Sequence, residues 1–486
     1  MSTSGFTLQD AARLLHEVGQ LEGIYLAAER RLVLPDEGRD FSDLASHSFR
    51  GAGLDNRALA PGELFVALMG EHSDGRTYVP QALAEGHWAL TRSQPGANEW
   101  AEVTGAGGVL LSPDPDAALQ VLAGAWRARF SYPVVGITGS NGKTTTKDFL
   151  AAALSGAGSV CATRGNLNNR LGLPLTLLRL GSEHQFAVME MGASAVGHIA
   201  SLVALARPDI ALITNAGQAH LAEFGSLQGV IQGKGEILDL LPAQGRAILN
   251  ADSPGFAEWC DRAPCPVVSY GLDQGDYLWS WIASGRSGQS EVLLNGQTWP
   301  VPLPGRHNGA NLVAAILAAR ASGLTDEQMR QGLDGFVASS HRSDLRQMGG
   351  RSILDDSYNA NPSSMLAACS AIARLPGHGR ALAVLGHMAE LGPDSEQLHR
   401  EVGQSICEAG VDQLLAVGPG ARNLAEGFHG KNAPAFQVDS VGAAADWLDE
   451  HSGPGDRILI KGSRSAAMDQ LVDLLDQRWP QAGEDA

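Results

Sequence analysis

The stretch Tyr132-Pro-Val-Val-Gly-Ile-Thr-Gly-Ser-Asn-Gly-Lys-Thr-Thr-Thr-Lys147 constrains this chain more than any other. Residues 133–138 form a short run rich in Val and Ile, which reads as a fully buried strand of a parallel sheet. Gly139-Ser140-Asn141-Gly142 then turns sharply, and Lys143-Thr144-Thr145-Thr146 opens a helix. A glycine-rich turn between a buried strand and a helix N-terminus aims backbone N–H groups and the positive end of the helix dipole at one point, making an anion site suited to phosphate. Lys143 is expected to reach the β- and γ-phosphates of a nucleotide, and the Thr144 hydroxyl to complete a Mg²⁺ shell. The match to the P-loop pattern is imperfect: its first glycine would fall at Ile137, and the nearest glycine is Gly136. The plainer reading is a glycine-rich turn with a solvated lysine, but the strand–turn–helix context favours a nucleotide site.

At 486 residues the chain is too long for one core, and its length suggests about three domains. With 35 basic against 53 acidic residues, net −18, it is a poor electrostatic match for nucleic acid or an anionic membrane. Any anionic substrate must be met by local positive groups and helix ends. No apolar run approaches the roughly 18 residues of a membrane span, and the N-terminus lacks the basic-then-apolar layout of a signal peptide. The five cysteines are scattered, without disulfide or zinc spacing, so a cytoplasmic location is expected.

Residues 1–110 read as a small α/β unit with helices at 8–18 and 79–85 and a strand at 64–68; a helix at 114–129 feeds the central strand. From 111 to 338 strands and helices alternate, which implies a mostly parallel sheet covered on both faces. The expected strands are 134–138, 186–191, 210–215, 246–250 and 267–271, followed by hairpin material over 277–301 and helices at 309–322 and 326–336. Residues 339–486 repeat the alternation as a second, Rossmann-like doubly wound unit. Its strands are expected at 353–356, 381–385, 413–417 and 457–461, and its helices at 363–374, 396–409, 441–450 and 466–478.

Catalytic groups in open α/β sheets gather outside the carboxyl ends of strands. Glu190 stands at such an end in an otherwise apolar run, which suits a Mg²⁺ ligand or, more plainly, a solvated glutamate. His220 follows the next strand and taken alone is an ordinary loop histidine. Lys234, in Gln232-Gly-Lys-Gly-Glu236, would by default be solvated.

Taken together, Gly139-Ser-Asn-Gly-Lys-Thr-Thr145, Glu190-Met-Gly-Ala193, Asn215-Ala-Gly-Gln-Ala-His-Leu221, Lys234-Gly-Glu236 and His307-Asn-Gly-Ala-Asn311 resemble the motifs of the Mur ligase family, in the family's order. Gly165-Asn-Leu-Asn-Asn169, Pro174-Leu-Thr-Leu-Leu178, Asp355-Asp-Ser-Tyr-Asn-Ala-Asn-Pro362, Ala389-Glu-Leu-Gly392 and Lys461-Gly-Ser-Arg464 resemble the branch that adds D-alanyl-D-alanine to a UDP-N-acetylmuramoyl tripeptide. The resemblance implies three domains: a UDP-substrate domain, a central ATPase and a C-terminal domain that brings the amine. It implies ATP-driven amide formation through an acyl phosphate in peptidoglycan precursor synthesis, with ATP and Mg²⁺ as cofactors. The sequence carries no signal of oligomeric state, and a monomer is the default expectation. Thr144, Glu190 and His220 would hold metal, and Lys234 matches the lysine the family carbamylates, turning a cation into a metal-binding carboxylate. Asn308 and Asn311 match a pair near the adenine, with a helix N-cap as the plainer role for Asn308. Arg342 resembles the arginine that reaches the γ-phosphate, and Asp356 the residue that binds the ribose. Asp55, Arg57, Asn168, Asn169, Tyr358, Asn359, Asn361, Lys461 and Arg464 fall at substrate positions.

Departures cluster on the substrate side. The family's Asp-Ser-Arg reads Asp55-Asn56-Arg57, its Asp-Gly-His reads Asp74-Gly75-Arg76, an expected acidic residue is Arg170, and Gly-Asp-Met is Gly386-His387-Met388. They leave open an enzyme of the same fold that joins a different acid and amine. A nucleotide-binding scaffold without catalysis is the other rival, against which intact Lys143, Glu190, His220 and Lys234 argue.

Overall fold

A computed structural model of the chain describes residues 5–35, 41–70, 73–92, 106–217, 221–283, 290–428 and 434–479. It divides into two compact units, Met1–Gly136 with Gly158–Met191 and Ala200–Pro208, and Ile137–Ala157 with Gly192–Ile199 and Asp209–Ala486.

The first unit holds a six-stranded mixed sheet in the order Arg31–Val33, Gly23–Leu26, Gly108–Ser112, Trp88–Arg92, Leu64–Ala67, Ala52–Gly53. The first three strands pair antiparallel and the rest parallel. Gly108–Ser112 is buried at every position, as expected of a strand covered on both faces. Tyr25, Phe65, Val79, Leu83 and Val109 pack together at its centre. The Leu8–Glu17 helix starts where Thr7 accepts the Asp10 N–H at 3.1 Å. The Pro115–Arg127 helix starts where Asp114 accepts from Asp116 and Ala117, with Pro115 in its first turn. A parallel pair, Val160–Ala162 and Phe186–Glu190, also lies in this unit.

In the second unit Ile210–Ile213, Arg246–Asn250 and Val267–Gly271 run parallel. The expected hairpin material is three strands that extend this sheet: Tyr277–Ile282 joins in parallel, and Ser290–Leu294 and Gln297–Val301 follow antiparallel. The Arg306–Ala321 helix buries Asn308, Gly309 and every residue from Asn311 to Ala319. Such a helix is apolar all round because it is enclosed on every side. Cutting Leu312 or Ile316 back to Ala there costs roughly 2–5 kcal/mol.

The last part is a six-stranded sheet in the order Asp344–Met348, Arg351–Asp355, Arg457–Lys461, Ala381–Leu385, Gln413–Val417, Ala435–Val438. All pairs are parallel except the first. Helices Pro362–Arg374 and Ser395–Glu408 cover one face through Met365, Ile372, Val402 and Ile406. Helices Val441–His451 and Asp469–Arg478 cover the other through Ala444, Leu448, Leu471 and Leu475. Arg457–Lys461 sits between two strands that precede it in sequence, so the strand order reverses there. A crevice therefore opens beyond the carboxyl ends of Arg351–Asp355, Arg457–Lys461 and Ala381–Leu385. Among the described residues no helix is long and apolar enough to cross a membrane.

Candidate active site

The strand of the glycine-rich stretch is Val134–Thr138, buried throughout, and its helix is Lys143–Ser155. The departure at Ile137 has a plain cause: that residue is still core strand, fully buried, and the turn begins only after it. Positive φ is needed at Gly139 (+148°) and Gly142 (+78°). A Cβ on Gly139 would stand 1.9 Å from Thr214 Oγ1, and one on Gly142 2.2 Å from Asn311 Oδ1. Gly142→Ala therefore meets both a steric and a dihedral barrier. It is expected to lower stability by about 1–3 kcal/mol and to abolish nucleotide binding, read by thermal melts and ADP titration. Asn311→Ala in the same chain removes the clash and is expected to restore part of the stability.

The turn is held from the segment after Ile210–Ile213. Ser140 N–H donates to Asn215 O at 3.0 Å and Asn141 N–H to Asn215 Oδ1 at 3.0 Å. Thr214 Oγ1 and Asn215 Nδ2 donate to Asn141 O at 2.6 and 3.2 Å, and Ser140 Oγ exchanges bonds with Gly217. The Lys143 ammonium donates to Gly139 O at 2.7 Å and Ser140 O at 3.3 Å, so the cation lies over the turn rather than out in solvent. Thr144 and Thr145 are buried in the first helical turn, whose N–H groups have no intrahelical acceptor.

Lys234 is 1 % exposed at the end of the Leu227–Gly235 helix. Its ammonium donates to Ala193 O at 3.2 Å and lies 5.2 Å from the Phe224 ring centre. Burial first, and the like charge of Lys143 second, hold this amine well below the ordinary lysine range. The solvated lysine that its sequence setting suggested is ruled out. Glu236, also buried, accepts from Gly197 N–H.

In the first unit Glu190 ends its strand at 1 % exposure, not solvated. Asn168 Nδ2 donates to its Oε1 at 2.7 Å, while Oε2 is buried with no hydrogen-bond partner among the described residues. An unmatched buried carboxylate oxygen at a strand end fits a cation ligand. Among the described residues no three His, Cys, Asp or Glu side chains cluster as a metal site, and His220 lies outside them. A carboxylate, a threonine hydroxyl and a lysine-derived carbamate would escape such a pattern.

The Arg306–Ala321 helix begins three residues before the expected start, with Gly305 (φ +100°) at the cap position, so Asn308 is not its N-cap. Asn308 Nδ2 instead donates to Pro304 O at 2.8 Å, and Asn311 Nδ2 to Asn308 Oδ1 at 3.1 Å. This buried pair braces the phosphate turn at Gly142. The same helix start opens onto a cleft of about 830 Å³ whose lining includes Trp281, Asp252, Phe336, Arg306, His307 and Arg374. His307 is partly exposed as a residue, yet desolvation of its imidazole pulls its pKa down to about 4, against Asp356, which raises it.

Asp356 stands in the crevice of the last sheet. Its Oδ1 accepts Ser343 N–H at 3.1 Å and its Oδ2 pairs with buried Lys461, which also donates to Asn359 O at 2.8 Å. Neighbouring Asp355 is fully buried and structural, accepting from Ser357 Oγ at 2.6 Å and bonded to His341 Nδ1 at 2.8 Å. His341 and Ser343 both take left-handed backbone (φ +63° and +51°), and Arg342 between them lies 3.8 Å over the Tyr358 ring. Asn361 caps the Pro362–Arg374 helix, so its side-chain oxygen is committed to structure. Asn359 is exposed, with its Oδ1 on Ala360 N–H. Arg464 is exposed and paired with Asp469 at 2.7 Å.

On the first unit Asp55 holds Arg57 through its backbone N–H and guanidinium, which pulls the Asp55 pKa down to about 2. Asp74 holds Arg76 in the same way. Asn169 Oδ1 accepts from Leu171 and Gly172 at a helix start. The departures have local partners: Arg170 pairs with Asp116, and His387 Nε2 bonds Ser465 Oγ at 2.9 Å. The second unit thus gathers the phosphate turn, Lys234, the asparagine pair, Arg342 and Asp356. Thr214, Asn215 and Ser363, which bond the turn, received no role from sequence, although Asn215 stood in a quoted motif.

Comparison with known proteins agrees. The Mur ligase middle domain matches residues 137–319, and the Mur ligase glutamate ligase domain residues 341–464. The UDP-N-acetylmuramoyl-tripeptide–D-alanyl-D-alanine ligase of Synechocystis sp. is 38% identical over 427 residues, 87% of this chain and 90% of that protein. A crystal structure of MurF from Acinetobacter baumannii superimposes with a TM-score of 0.82 at 30% identity, covering 98% of this chain and 100% of that one. MurF ligase from Thermotoga maritima in complex with ADP gives a TM-score of 0.75 at 26% identity, covering 88% of this chain and 97% of that one. With its phosphate turn, asparagine pair and C-terminal crevice in one frame and its likeness running almost end to end, this chain belongs to the Mur ligase family.

Proposed function

We infer that this chain is an ATP-dependent ligase that joins D-alanyl-D-alanine to a UDP-N-acetylmuramoyl tripeptide, a step of peptidoglycan precursor synthesis. The observation that carries the chemistry is a phosphate-binding turn together with a buried lysine whose amine burial and the Lys143 charge hold well below its ordinary range. ATP phosphorylates the terminal carboxylate of the tripeptide. The dipeptide amine then attacks the acyl carbon, and the tetrahedral intermediate expels phosphate. Such chemistry needs alignment and charge neutralisation more than covalent help. The N–H groups of Gly142 to Thr145 and the Lys143 ammonium hold the phosphates, and Arg342 adds positive charge toward the γ-phosphate. Asp356, with Lys461 fixing one of its oxygens, receives the ribose, and the base enters the cleft beside His307.

Mg²⁺, held by Thr144, Glu190, His220 and Lys234 as its carbamate, would neutralise the phosphoryl oxygens. Burial suits Lys234 to that modification, since only a neutral amine attacks carbon dioxide. Asn168 orients Glu190. We assign UDP-substrate binding to residues 1–110, with Asp55 and Arg57, joined by Asn169 from the central part, ATP to 111–338, and the amine, with Tyr358, Asn359 and Arg464, to 339–486. The enzyme is assigned to the cytoplasm and acts as a monomer.

The test is phosphate release from ATP with UDP-N-acetylmuramoyl tripeptide, with and without D-alanyl-D-alanine. Release that needs both, with a product heavier by one dipeptide residue (the dipeptide less water), is expected. Release only with another acid–amine pair would mean a changed substrate, with Arg76, Arg170 and His387 as its marks.

A further inference from the structure

The Asn141 side chain, in the phosphate turn, bonds to residues outside the turn. Asn141 Nδ2 donates to Ser363 Oγ at 2.8 Å, and Asn141 Oδ1 accepts from Asn361 Nδ2 at 2.7 Å. Ser363 Oγ donates in turn to Asn361 Oδ1 at 3.1 Å, closing a ring of three side chains. The three bonds run head to tail around the ring, so each amide is oriented by its partners. Asn361 Oδ1 also accepts Ser364 N–H at 3.0 Å, as N-cap of the Pro362–Arg374 helix. The backbone of Asn141 is meanwhile gripped by Thr214 and Asn215. Asn141 is thus held by its main chain to the nucleotide sheet and by its side chain, 220 residues further along, to the last sheet's first helix.

We propose that Asn141, Asn361 and Ser363 form a docking latch, which seats the helix start and the preceding loop bearing Asp356 and Tyr358 against the phosphate turn. Phosphoryl transfer is fast only while the latch is closed. The ring suits this task because it is polar and partly open to solvent, with Ser363 exposed and both asparagines half-buried. Water replaces such bonds at modest cost, so the contact opens and closes, whereas an apolar contact of equal size would stay shut. All three act as positioning residues. The inference rests on the nucleotide site proposed above.

Asn361→Asp separates latch from cap. Aspartate caps a helix as well as asparagine does and keeps the acceptor for Ser363 and Ser364, but it sets an oxygen against Asn141 Oδ1. Its melting temperature is expected to stay near that of the parent. Its kcat is expected to fall about tenfold, the scale of one lost hydrogen bond, with ADP affinity changed less than about twofold, well short of that loss. Asn141→Ala should lose kcat to a like extent, and the double variant should be no worse than the poorer single one. Hydrogen exchange supplies a readout that needs no ligation: ADP should slow exchange at residues 363–366 in the parent and not in Asn361→Asp. Multiplicative losses in the double variant, or parental kcat and protection in Asn361→Asp, would overturn the latch. If the ligase reading itself were wrong, the parent would show no release with the substrate pair, while the exchange experiment would still decide the latch.

Discussion

Lys234→Ala is expected to lower ligation roughly 10²–10³-fold or more, the scale seen when one charge-stabilising group leaves an active site. High bicarbonate or a short carboxylate such as acetate is expected to recover part of the rate. The reason lies in where the amine sits: 1 % exposed, on a carbonyl and an aromatic face, with Lys143's charge nearby. A permanent cation is poorly tolerated there, and on the proposed reading a carbamate would replace it with an anion able to hold Mg²⁺. Lys234→Arg keeps length and charge but cannot be carbamylated, so it should be as inactive as the alanine variant and refuse rescue. Carbon-13 bicarbonate gives a direct check, as a carbamate resonance present in the parent and absent in both variants. An active arginine variant, or a parent without that resonance, would sink the assignment.

Lys143→Ala is expected to remove ATP-dependent phosphate release, again by roughly 10²–10³-fold, while calorimetry still detects the UDP-linked tripeptide. Lys143 lies over the phosphate turn, in the second unit, whereas the first unit has its own sheet and its own core around Phe65 and Val109. Loss of both ligands together would show that the two binding tasks are not divided as proposed. The variant has a second effect: without the like charge of Lys143, the Lys234 amine holds its proton more tightly, which opposes carbamylation.

Much of this was legible in the sequence because local physics decides it. The run before Gly139 could only be a covered strand, and the turn's glycines stand where φ is positive. The α/β alternation gave both sheets of the second unit. What stayed hidden depends on contacts far apart in the chain. Periodicity cannot tell that the material at 277–301 extends the nucleotide sheet, since an edge pairing is chosen by the neighbour. Residues 344–348 read as polar, yet they pair with Arg351–Asp355 as an antiparallel edge. Asn308 has the residue type of a cap, but Gly305 takes that position because the chain arrives with positive φ. The residues beside Lys234 in sequence suggest solvent, and only the tertiary fold buries it; its place in the family motif is what marks it.

The left-handed residues on either side of Arg342 bear on how this enzyme can change over evolutionary time. Each such conformation in a residue with a Cβ costs about 1–2 kcal/mol, and both lie in the short link between the Asp326–Asp334 helix and the Asp344–Met348 strand. His341 has some return through its bond to buried Asp355; Ser343 gives only its N–H to Asp356, a bond that glycine could make equally well. Selection for heat resistance alone would therefore drift toward glycine at 343, and the link would gain freedom as the protein gained stability. Arg342 would then be aimed by a looser tether. Serine at 343 keeps the tether to Arg342 tight at the expense of that strain.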